Sequence, residues 1–241
     1  MTDDIKGHKV VSHDEWTQAR VAFLAKEKAF NKLRDDLVRE RRALPWEKVE
    51  KPYAFEGPKG NVTLAGLFAG KRQLVVYHFM FDPEDDAGCP HCSFWADSYN
   101  GADVHLRARD TAFVAISRAP FAKIQAFKKR MGWTFPWVSS SGSDFNFDFQ
   151  ASFTPAQLAA GPVLYNYQRA PAEHKDREGI SVFFKDAGGA LFHTYSTYAR
   201  GIDAVNSAYQ LLELTPKGRD EEGLDFKQEW VRHRDRYDDG A

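Results

Sequence analysis

The sequence predicts an α/β protein with a parallel core sheet, and three observations lead to this fold class. Residues 74–81 and 111–118 are nearly continuous apolar runs, which are typical of strands buried on both faces. Each run is followed by a helix-like segment, the first beginning beside Cys89 and the second at Pro120. Because buried strands alternate with helices along the chain, we expect neighbouring strands to be parallel.

The N-terminal segment predicts a single helix of about 30 residues, longer than most helices of globular proteins. Ser12 and Glu15 fit a capping box at its start, and Pro45 ends the pattern. Apolar residues between Trp16 and Leu37 recur at steps of three, four or seven, which places them on one stripe. We expect this stripe to pack along the main domain or to pair with a second copy, as in a homodimer.

Composition changes along the chain predict three regions. Residues 1–50 form a helical arm, residues 51–215 form the main domain, and residues 216–241 form a highly charged C-terminal tail on the surface. Within the domain, residues 139–179 are predicted to be an insertion, and a hairpin follows over residues 180–196. Residues 143–149 contain three phenylalanines, a composition that is unusual for a solvated loop. We expect this segment to form an apolar lid over the functional site or an oligomer contact.

Composition and charge narrow the function classes. Hydrophobic residues make up 43% of the chain, and 33 basic residues nearly balance 34 acidic ones, for a net charge of −1. This balance does not favour nucleic acid or an anionic membrane as a partner. The start lacks the pattern of a secretory signal, so we expect a cytoplasmic protein in a reducing compartment.

Both cysteines of the chain lie in the motif "CPHC", residues 89–92. At the start of a helix, Pro90 loses nothing by lacking an N–H group, and the helix N-terminus lowers the pKa of Cys89. Cys92 lies about one turn further on, where it can attack a mixed disulfide formed on Cys89. His91 adds positive charge, which makes the thiolate a better leaving group. The motif predicts Cys89 as nucleophile, Cys92 as resolving thiol and His91 as the residue that tunes them.

Two other interpretations of the motif stay open at this point. A closed zinc site needs four ligands, and the sequence contains no second CxxC or HxxxH pair. The alternative is that the fold brings His78 and His105 to the cysteines as the other two ligands. The cysteines are also compatible with ordinary buried residues. We predict no bound metal and no organic cofactor.

The order of elements resembles the thioredoxin-like superfamily, in the branch shared by peroxiredoxins and thiol–disulfide oxidoreductases. A strand leads to a CxxC at a helix start, then a strand and a helix, a hairpin and a final helix, over residues 53–214. The resemblance implies a thioredoxin-like central mixed sheet flanked by helices, with a long N-terminal helix and an insertion before the final hairpin.

A narrower resemblance spans most of the chain. The motifs "GCPHCSFWAD", "SRAP", "RMGWTFPWVSS", "SDFNFDF", "FHTYSTYARG" and "LLELTPKGR" are similar to the bacterial domain-of-unknown-function 899 family. This family implies a thioredoxin-like fold and brings no established substrate.

Two positions depart from the wider superfamily. Thioredoxins carry a cis-proline before the hairpin strand, but this chain has Gly179, Ile180 and Ser181 at that place. Peroxiredoxins carry Thr or Ser three residues before the reactive cysteine, and here that residue is Asp86. The resemblance nevertheless places Ile180 beside the cysteine pair as a candidate substrate-binding residue.

Further candidates for substrate binding follow the core strands. Arg118, after the second buried strand, is able to stabilise a thiolate or an anion, or to form a salt bridge. Trp137 is expected at a strand end, where parallel sheets bind ligands. His193 and Tyr195 are expected on one face of their strand, since alternate residues share a face. Packing is the alternative role for these residues.

The sequence therefore predicts a thiol–disulfide oxidoreductase that cycles Cys89 and Cys92 between dithiol and disulfide. Its partner is expected to be an unidentified thiol or disulfide protein or a small-molecule thiol. The alternatives are a thiol peroxidase that uses Cys89, and a non-catalytic module that binds a metal or senses redox state.

Overall fold

A computed structural model describes residues 7–171 and 174–237. The first six residues of the predicted arm and the last four of the predicted tail lie outside this part of the chain. The chain divides into two compact units, Met1–Pro45 and Trp46–Ala241.

The N-terminal unit is built on one long helix, α1, His13–Arg42. The predicted capping box is confirmed, because the Ser12 side chain accepts from the Glu15 backbone N–H and the Glu15 carboxylate accepts from the Ser12 N–H, at 3.1 Å. Acidic residues occupy the first turn and arginines the last turn, which complements the helix dipole at both ends. No residue of α1 is buried, so pairing of its apolar stripe with a second copy stays a prediction.

An eight-stranded mixed sheet forms the centre of the second unit, in the order β1-β10-β9-β4-β5-β6-β2-β3. Strands β4, β5 and β6 are parallel, and the remaining pairs are antiparallel. A separate hairpin is formed by β7 and β8. The strands are β1 (Glu47–Lys48), β2 (Ala54–Gly57), β3 (Gly60–Thr63), β4 (Gln73–His78), β5 (Thr111–Ser117), β6 (Trp137–Ser139), β7 (Val163–Tyr165), β8 (Gln168–Ala170), β9 (Gly179–Lys185) and β10 (Leu191–Tyr198).

The helices connect these strands in the predicted order. The helix after the cysteines is interrupted near Gly101, and the next one is capped by Gly132 in the left-handed conformation, with φ 61°. The predicted last helix is divided at Asn206, which caps the α-helical part. The helices are α2 (Leu64–Leu67), α3 (Pro90–Tyr99), α4 (Asp103–Ala108), α5 (Phe121–Met131), α6 (Phe145–Asp148), α7 (Pro155–Ala159), the 3-10 helix Ala199–Val205 and α8 (Ser207–Leu212).

This arrangement confirms the thioredoxin-like fold class. The strand before the cysteines, β4, lies between a parallel neighbour, β5, and the antiparallel hairpin of β9 and β10. Helices cover both faces of the sheet. We call the two sides the cysteine face, where α3, α5 and α8 pack, and the opposite face, where α2 and α6 pack.

The aromatic segment 143–149 belongs to the opposite face, so the prediction of a lid over the cysteines is wrong. Phe145 is fully buried and Phe149 nearly so, and both rings pack against His78 and Phe183. Two of the three phenylalanines in this polar loop, Phe145 and Phe149, therefore fill the core of the sheet's other side.

The C-terminal segment also differs from the surface tail that its charge predicts. Val231 is buried at 2% exposure, and the Trp230 ring packs 5.4 Å from the ring of Phe94, on the helix that carries the cysteines. A few apolar residues among the charges are sufficient to bind this segment to the domain. Within the described residues, no helix has the length and apolar character needed to cross a membrane.

Candidate active site

The backbone places Cys89 at the N-terminus of α3. Cys89 is the N-cap residue, Pro90 is the first helical residue, and the Cys89 carbonyl accepts from the N–H and the hydroxyl of Ser93, at 2.9 and 2.8 Å. The Cys89 N–H donates to the Met80 carbonyl at 3.1 Å, which ties the loop back to the end of β4. The predicted roles of Pro90 as first helical residue and Cys89 as the residue at the helix mouth agree with this geometry.

Gly88 allows Cys89 to reach this position. A Cβ atom at Gly88 would lie 2.6 Å from the Phe79 ring and 2.7 Å from the Phe127 ring. Both rings belong to the packed core of the cysteine face. Any side chain at residue 88 would therefore push the loop, and Cys89 with it, away from the sheet.

The surroundings of the two thiols shift their pKa values in opposite directions. The pKa of Cys89 lies well below its usual range, because its sulfur accepts hydrogen bonds from the Cys92 side chain, from His91 and from the Cys92 backbone N–H, which together outweigh burial. The His91 pKa is raised mainly by its hydrogen bond to Cys89, so the contact favours the imidazolium form of His91 and the thiolate form of Cys89. Burial raises the pKa of Cys92 well above its usual range, and the charge on Cys89 raises it further.

Cys92 is fixed beneath the surface. It is 2% exposed, its sulfur accepts from the Met80 N–H at 3.4 Å, and its carbonyl accepts from the Tyr77 hydroxyl at 3.2 Å. Cys89, by contrast, is only partly buried. The surroundings of the more accessible sulfur therefore favour the thiolate, and those of the deeper sulfur favour the protonated thiol.

Glu178 is a titratable group close to this pair that the sequence motif does not include. It precedes β9, and the Tyr165 hydroxyl donates to its carbonyl at 2.9 Å and approaches its carboxylate at 3.4 Å. Burial raises the pKa of Glu178, and the negative charge on Cys89 raises it further. Glu178 in turn contributes to the raised pKa of Cys92, which shows that the three groups interact electrostatically.

The cysteines open into a cavity of about 640 Å³. All four residues of the CPHC motif line it, and Glu178 faces it from the start of the hairpin. The other walls come from the loop after β4 and from the C-terminal segment. The lining residues outside the motif are Met80, Asp85, Asp86, Ala87, Gly88, Trp95, His174, Arg177, Glu178, Phe226, Lys227, Gln228 and His233.

Arg118 binds carboxylates instead of the cysteine sulfur. Its guanidinium donates to Asp82 and, at 2.7 Å, to Asp176, and these three side chains are largely buried. Ser152 also donates to Asp176 at 2.7 Å. Arg118 therefore joins the loop after β4 to the insertion, which corresponds to the salt-bridge role among its two predicted roles.

Trp137 and Ile180 lie in the core of the cysteine face and are not among the residues that line the cavity. Trp137 begins β6, is 1% exposed and donates through Nε1 to the Ser117 hydroxyl at 3.0 Å. Ile180 is paired with Tyr77 of β4. From the segment that precedes β9, Glu178 reaches the cavity, two residues before Ile180.

A β-bulge places His193 and Tyr195 on different faces, so the prediction that they share one is wrong. His193 pairs with Phe183, whereas Tyr195 pairs with Val182, which faces the other way along β9. The additional residue, Thr194, reverses the alternation of the strand. His193 lies on the opposite face of the sheet, 5.1 Å from the Phe149 ring, and therefore away from the cysteines.

The residues that the motif analysis missed come from two segments. Glu178 directly precedes the hairpin strand that is expected to face the cysteines. An ionisable residue at that place in the sequence is a signal for a functional group. Phe226, Trp230 and Val231 interrupt the charged tail with apolar side chains, which indicates that the tail packs on the domain. Within residues 7–171 and 174–237, no three His, Cys, Asp or Glu side chains are grouped as metal ligands.

The family comparison covers nearly the whole chain. A family model described as "Bacterial protein of unknown function (DUF899)" matches residues 5–237. No curated protein matches the chain.

Several solved structures resemble the chain at low identity. A peroxiredoxin Q variant of Xylella fastidiosa is 12% identical, covers 70% of this chain and 94% of its own, and has a TM-score of 0.46. The peroxidoxin BcpB of Mycobacterium tuberculosis is 13% identical, covers 69% and 96%, and has a TM-score of 0.44. The bacterioferritin comigratory protein of Xanthomonas campestris is 13% identical, covers 66% and 87%, and has a TM-score of 0.43.

Proposed function

The chain belongs to the DUF899 family of bacterial proteins, and we propose that it is a thiol–disulfide oxidoreductase that uses Cys89 and Cys92. The observation that carries this proposal is the placement of the two thiols at one cavity: Cys89 caps α3 and is partly exposed, and Cys92 lies buried three residues further on. A partly exposed thiol with a lowered pKa beside a buried thiol with a raised pKa suits disulfide exchange, since only the thiolate is nucleophilic.

The exchange proceeds in two displacements. The Cys89 thiolate attacks one sulfur of a substrate disulfide, forming a mixed disulfide and releasing the first substrate thiolate. The Cys92 sulfur then attacks Cys89, which releases the second thiolate and leaves the Cys89–Cys92 disulfide. Two electrons pass from the protein dithiol to the substrate, and the reverse sequence oxidises a substrate dithiol.

His91 and Glu178 have different proton tasks in this scheme. The His91 imidazolium stabilises Cys89 as a thiolate, both before attack and as a leaving group. Cys92 keeps its proton until the mixed disulfide forms, and the Glu178 carboxylate accepts that proton during the second displacement. The raised pKa of Glu178 brings its basicity closer to neutral pH, which suits this transfer.

The test follows the reaction of the pre-reduced protein with 5,5′-dithiobis(2-nitrobenzoate) by absorbance and mass spectrometry. Wild type is expected to finish as the internal disulfide, with release of two thiolates. Cys92→Ser is expected to stop at a stable mixed disulfide after release of one thiolate. Cys89→Ser is expected to react at least one hundred times more slowly, because Cys92 is buried and protonated.

Glu178→Gln separates the two displacements. The first thiolate release is expected to keep its rate within a few-fold, whereas the second is expected to slow by about tenfold or more, as for removal of a proton acceptor. Equal slowing of both steps would contradict the proton-transfer role of Glu178.

Two results would replace the proposed function. Rapid consumption of hydrogen peroxide by wild type, lost in Cys89→Ser and without disulfide exchange, would make the protein a thiol peroxidase. Stoichiometric zinc in the purified protein, with neither activity, would favour a metal-binding module.

A further inference from the structure

The cavity at the cysteine pair has a shape that restricts its substrates. Its volume, about 640 Å³, lies within the range of pockets that enclose small ligands. Three chain segments line the cavity together with the CPHC motif: the loop that leads to Cys89, the residues before β9, and the C-terminal segment.

The C-terminal wall is part of the folded structure. One oxygen of Glu221 accepts three hydrogen bonds, from the Tyr209 hydroxyl at 2.7 Å, from Trp230 Nε1 at 2.9 Å and from the Gln228 N–H at 3.1 Å. Further along, His233 Nε2 lies 2.7 Å from the carbonyl oxygen of Gly88, directly beside Cys89.

Two ion pairs join the same segment to helices α5 and α3. Arg130 of α5 donates to both carboxylate oxygens of Asp235 at 2.8 Å. Arg234 donates to Asp97 of α3 at 3.1 Å. The segment that narrows the cavity is therefore fixed at both α3 and α5.

The backbone next to the cysteines is already hydrogen-bonded within the chain. The Arg177 N–H donates to the Ala151 carbonyl at 2.9 Å, and the Glu178 carbonyl accepts from the Tyr165 hydroxyl at 2.9 Å. An extended polypeptide binds a protein of this kind by pairing its main chain with free backbone groups. Here the Arg177 N–H and the Glu178 carbonyl, which lie in the segment that lines the cavity, already have partners within the chain and do not offer free groups to a bound polypeptide.

The charges of the lining match a small zwitterion. Arg177 and Lys227 offer cations to a carboxylate, and Asp85 and Asp86 offer anions to an ammonium group. An amino-acid or short-peptide thiol carries both kinds of group beside its sulfur.

We propose that the substrate of the cysteine pair is the disulfide of a low-molecular-weight zwitterionic thiol, RSSR, and not a disulfide in an extended polypeptide. This inference rests on the exchange activity proposed above. The Cys89 thiolate displaces one RS⁻ and forms the bond between Cys89 and SR. Cys92 transfers its proton to Glu178, bonds to Cys89 and displaces the second RS⁻, so that one RSSR becomes two thiols after protonation.

The test compares three disulfides as oxidants of the pre-reduced protein: glutathione disulfide, the uncharged 2-hydroxyethyl disulfide, and insulin. Quenching with acid and measuring formation of the internal disulfide by mass spectrometry gives each second-order rate constant. We expect the rate constant for glutathione disulfide to exceed that for insulin by at least a hundredfold and that for 2-hydroxyethyl disulfide by at least tenfold.

A charge reversal tests the recognition of the carboxylate. Lys227→Glu is expected to slow the reaction with glutathione disulfide about fivefold to tenfold more than the reaction with 2-hydroxyethyl disulfide, which has no carboxylate for Lys227 to bind. Lys59→Glu, an equal change of charge in the turn between β2 and β3, is expected to affect neither rate.

The outcomes separate this inference from the proposed function. Reduction of insulin at the rate of glutathione disulfide, in a reaction that needs Cys89, would overturn the substrate class while the exchange activity stands. Equal slowing of both small disulfides by Lys227→Glu would overturn the charge recognition. Failure of all three disulfides to react through Cys89 would overturn the proposed function itself.

Discussion

The two faces of the central sheet both bury polar groups, but the groups beside Cys89 on the cysteine face also line a cavity. On the opposite face, His78, Ser181, Ser196 and His193 form a continuous chain of hydrogen bonds, each between 2.7 and 2.8 Å. On the cysteine face, Cys89 and its neighbours form a comparable cluster. Strand β4 supplies His78 to the first cluster, and its neighbour Tyr77 donates to the Cys92 carbonyl beside the second.

The difference lies in charge and access. Burial lowers the pKa of His78 to about 3, so that its ring stays neutral under Phe145 and Phe149. On the cysteine face, the hydrogen bonds favour a thiolate and an imidazolium, and the pair opens into a cavity. Buried hydrogen bonds alone therefore do not make a site; a stabilised charge that reaches solvent does.

Gly88→Ala should have the largest effect on the rate of disulfide exchange, because it disturbs the packing of the cysteine face and leaves the opposite face intact. The new methyl group would overlap the rings of Phe79 and Phe127 and displace Cys89. We expect the rate of disulfide exchange to fall about a hundredfold, as for a misplaced nucleophile.

The matched control for this substitution is Gly142→Ala. A Cβ atom at Gly142 meets nothing within 4 Å, so the exchange rate should stay at the wild-type value. Stopped-flow measurement of both variants is the check, and equal rates for them would contradict the packing account of Cys89.

His91→Gln should have an intermediate effect, confined to the ionisation of Cys89. Without the imidazolium, the pKa of Cys89 should rise, so that alkylation by iodoacetamide at pH 6 slows about threefold to tenfold while the rate above pH 9 changes little. His105→Gln, at an exposed position on α4, is the control and should leave the profile unchanged. A uniform loss of rate at every pH would indicate a structural effect instead.

His78→Gln should have the smallest effect on the rate of disulfide exchange. Its effect should instead be on the pH dependence of the free energy of unfolding, because His78 lies on the opposite face. Because the folded pKa of His78 is about 3 and the unfolded value is near 6.5, the unfolded chain binds an additional proton between these values. Stability is therefore lost as pH falls from about 6.5 towards 3, by about 1.4 kcal/mol per unit from this group.

Denaturant unfolding at pH 7 and at pH 5 measures this contribution. Wild type should lose more stability between the two pH values than His78→Gln does, by about 2 kcal/mol, while both keep the wild-type exchange rate at pH 7. An identical pH dependence of the two proteins would show that His78 is not held neutral.

Local patterns in the sequence predict the elements that determine the cysteine geometry. The apolar run of β4, the CxxC at a helix start and the glycine cap of α5 each act over a few residues, so they are visible without the fold. The alternation rule failed at His193 and Tyr195, because a bulge depends on pairing with the neighbouring strand.

The walls of the cavity are harder to predict because they depend on contacts between distant parts of the chain. Glu178 lies 86 residues after Cys92 in the sequence and His233 lies further still, yet both line the cavity at the cysteines. The high content of charged residues predicts a surface tail, whereas Trp230 and Val231 bind this segment to the domain. Composition averages over a segment and hides the few side chains that decide its packing.

The ionisation of Cys89 in the reduced protein is the most direct test of this account. The rate of iodoacetamide alkylation, followed by mass spectrometry of the Cys89 peptide between pH 4 and pH 10, gives the pKa of this thiol. The account predicts a pKa well below the unperturbed value of about 8.5, with Cys92 unreactive over the same range. A Cys89 pKa at or above 8.5, or faster alkylation of Cys92, would contradict it.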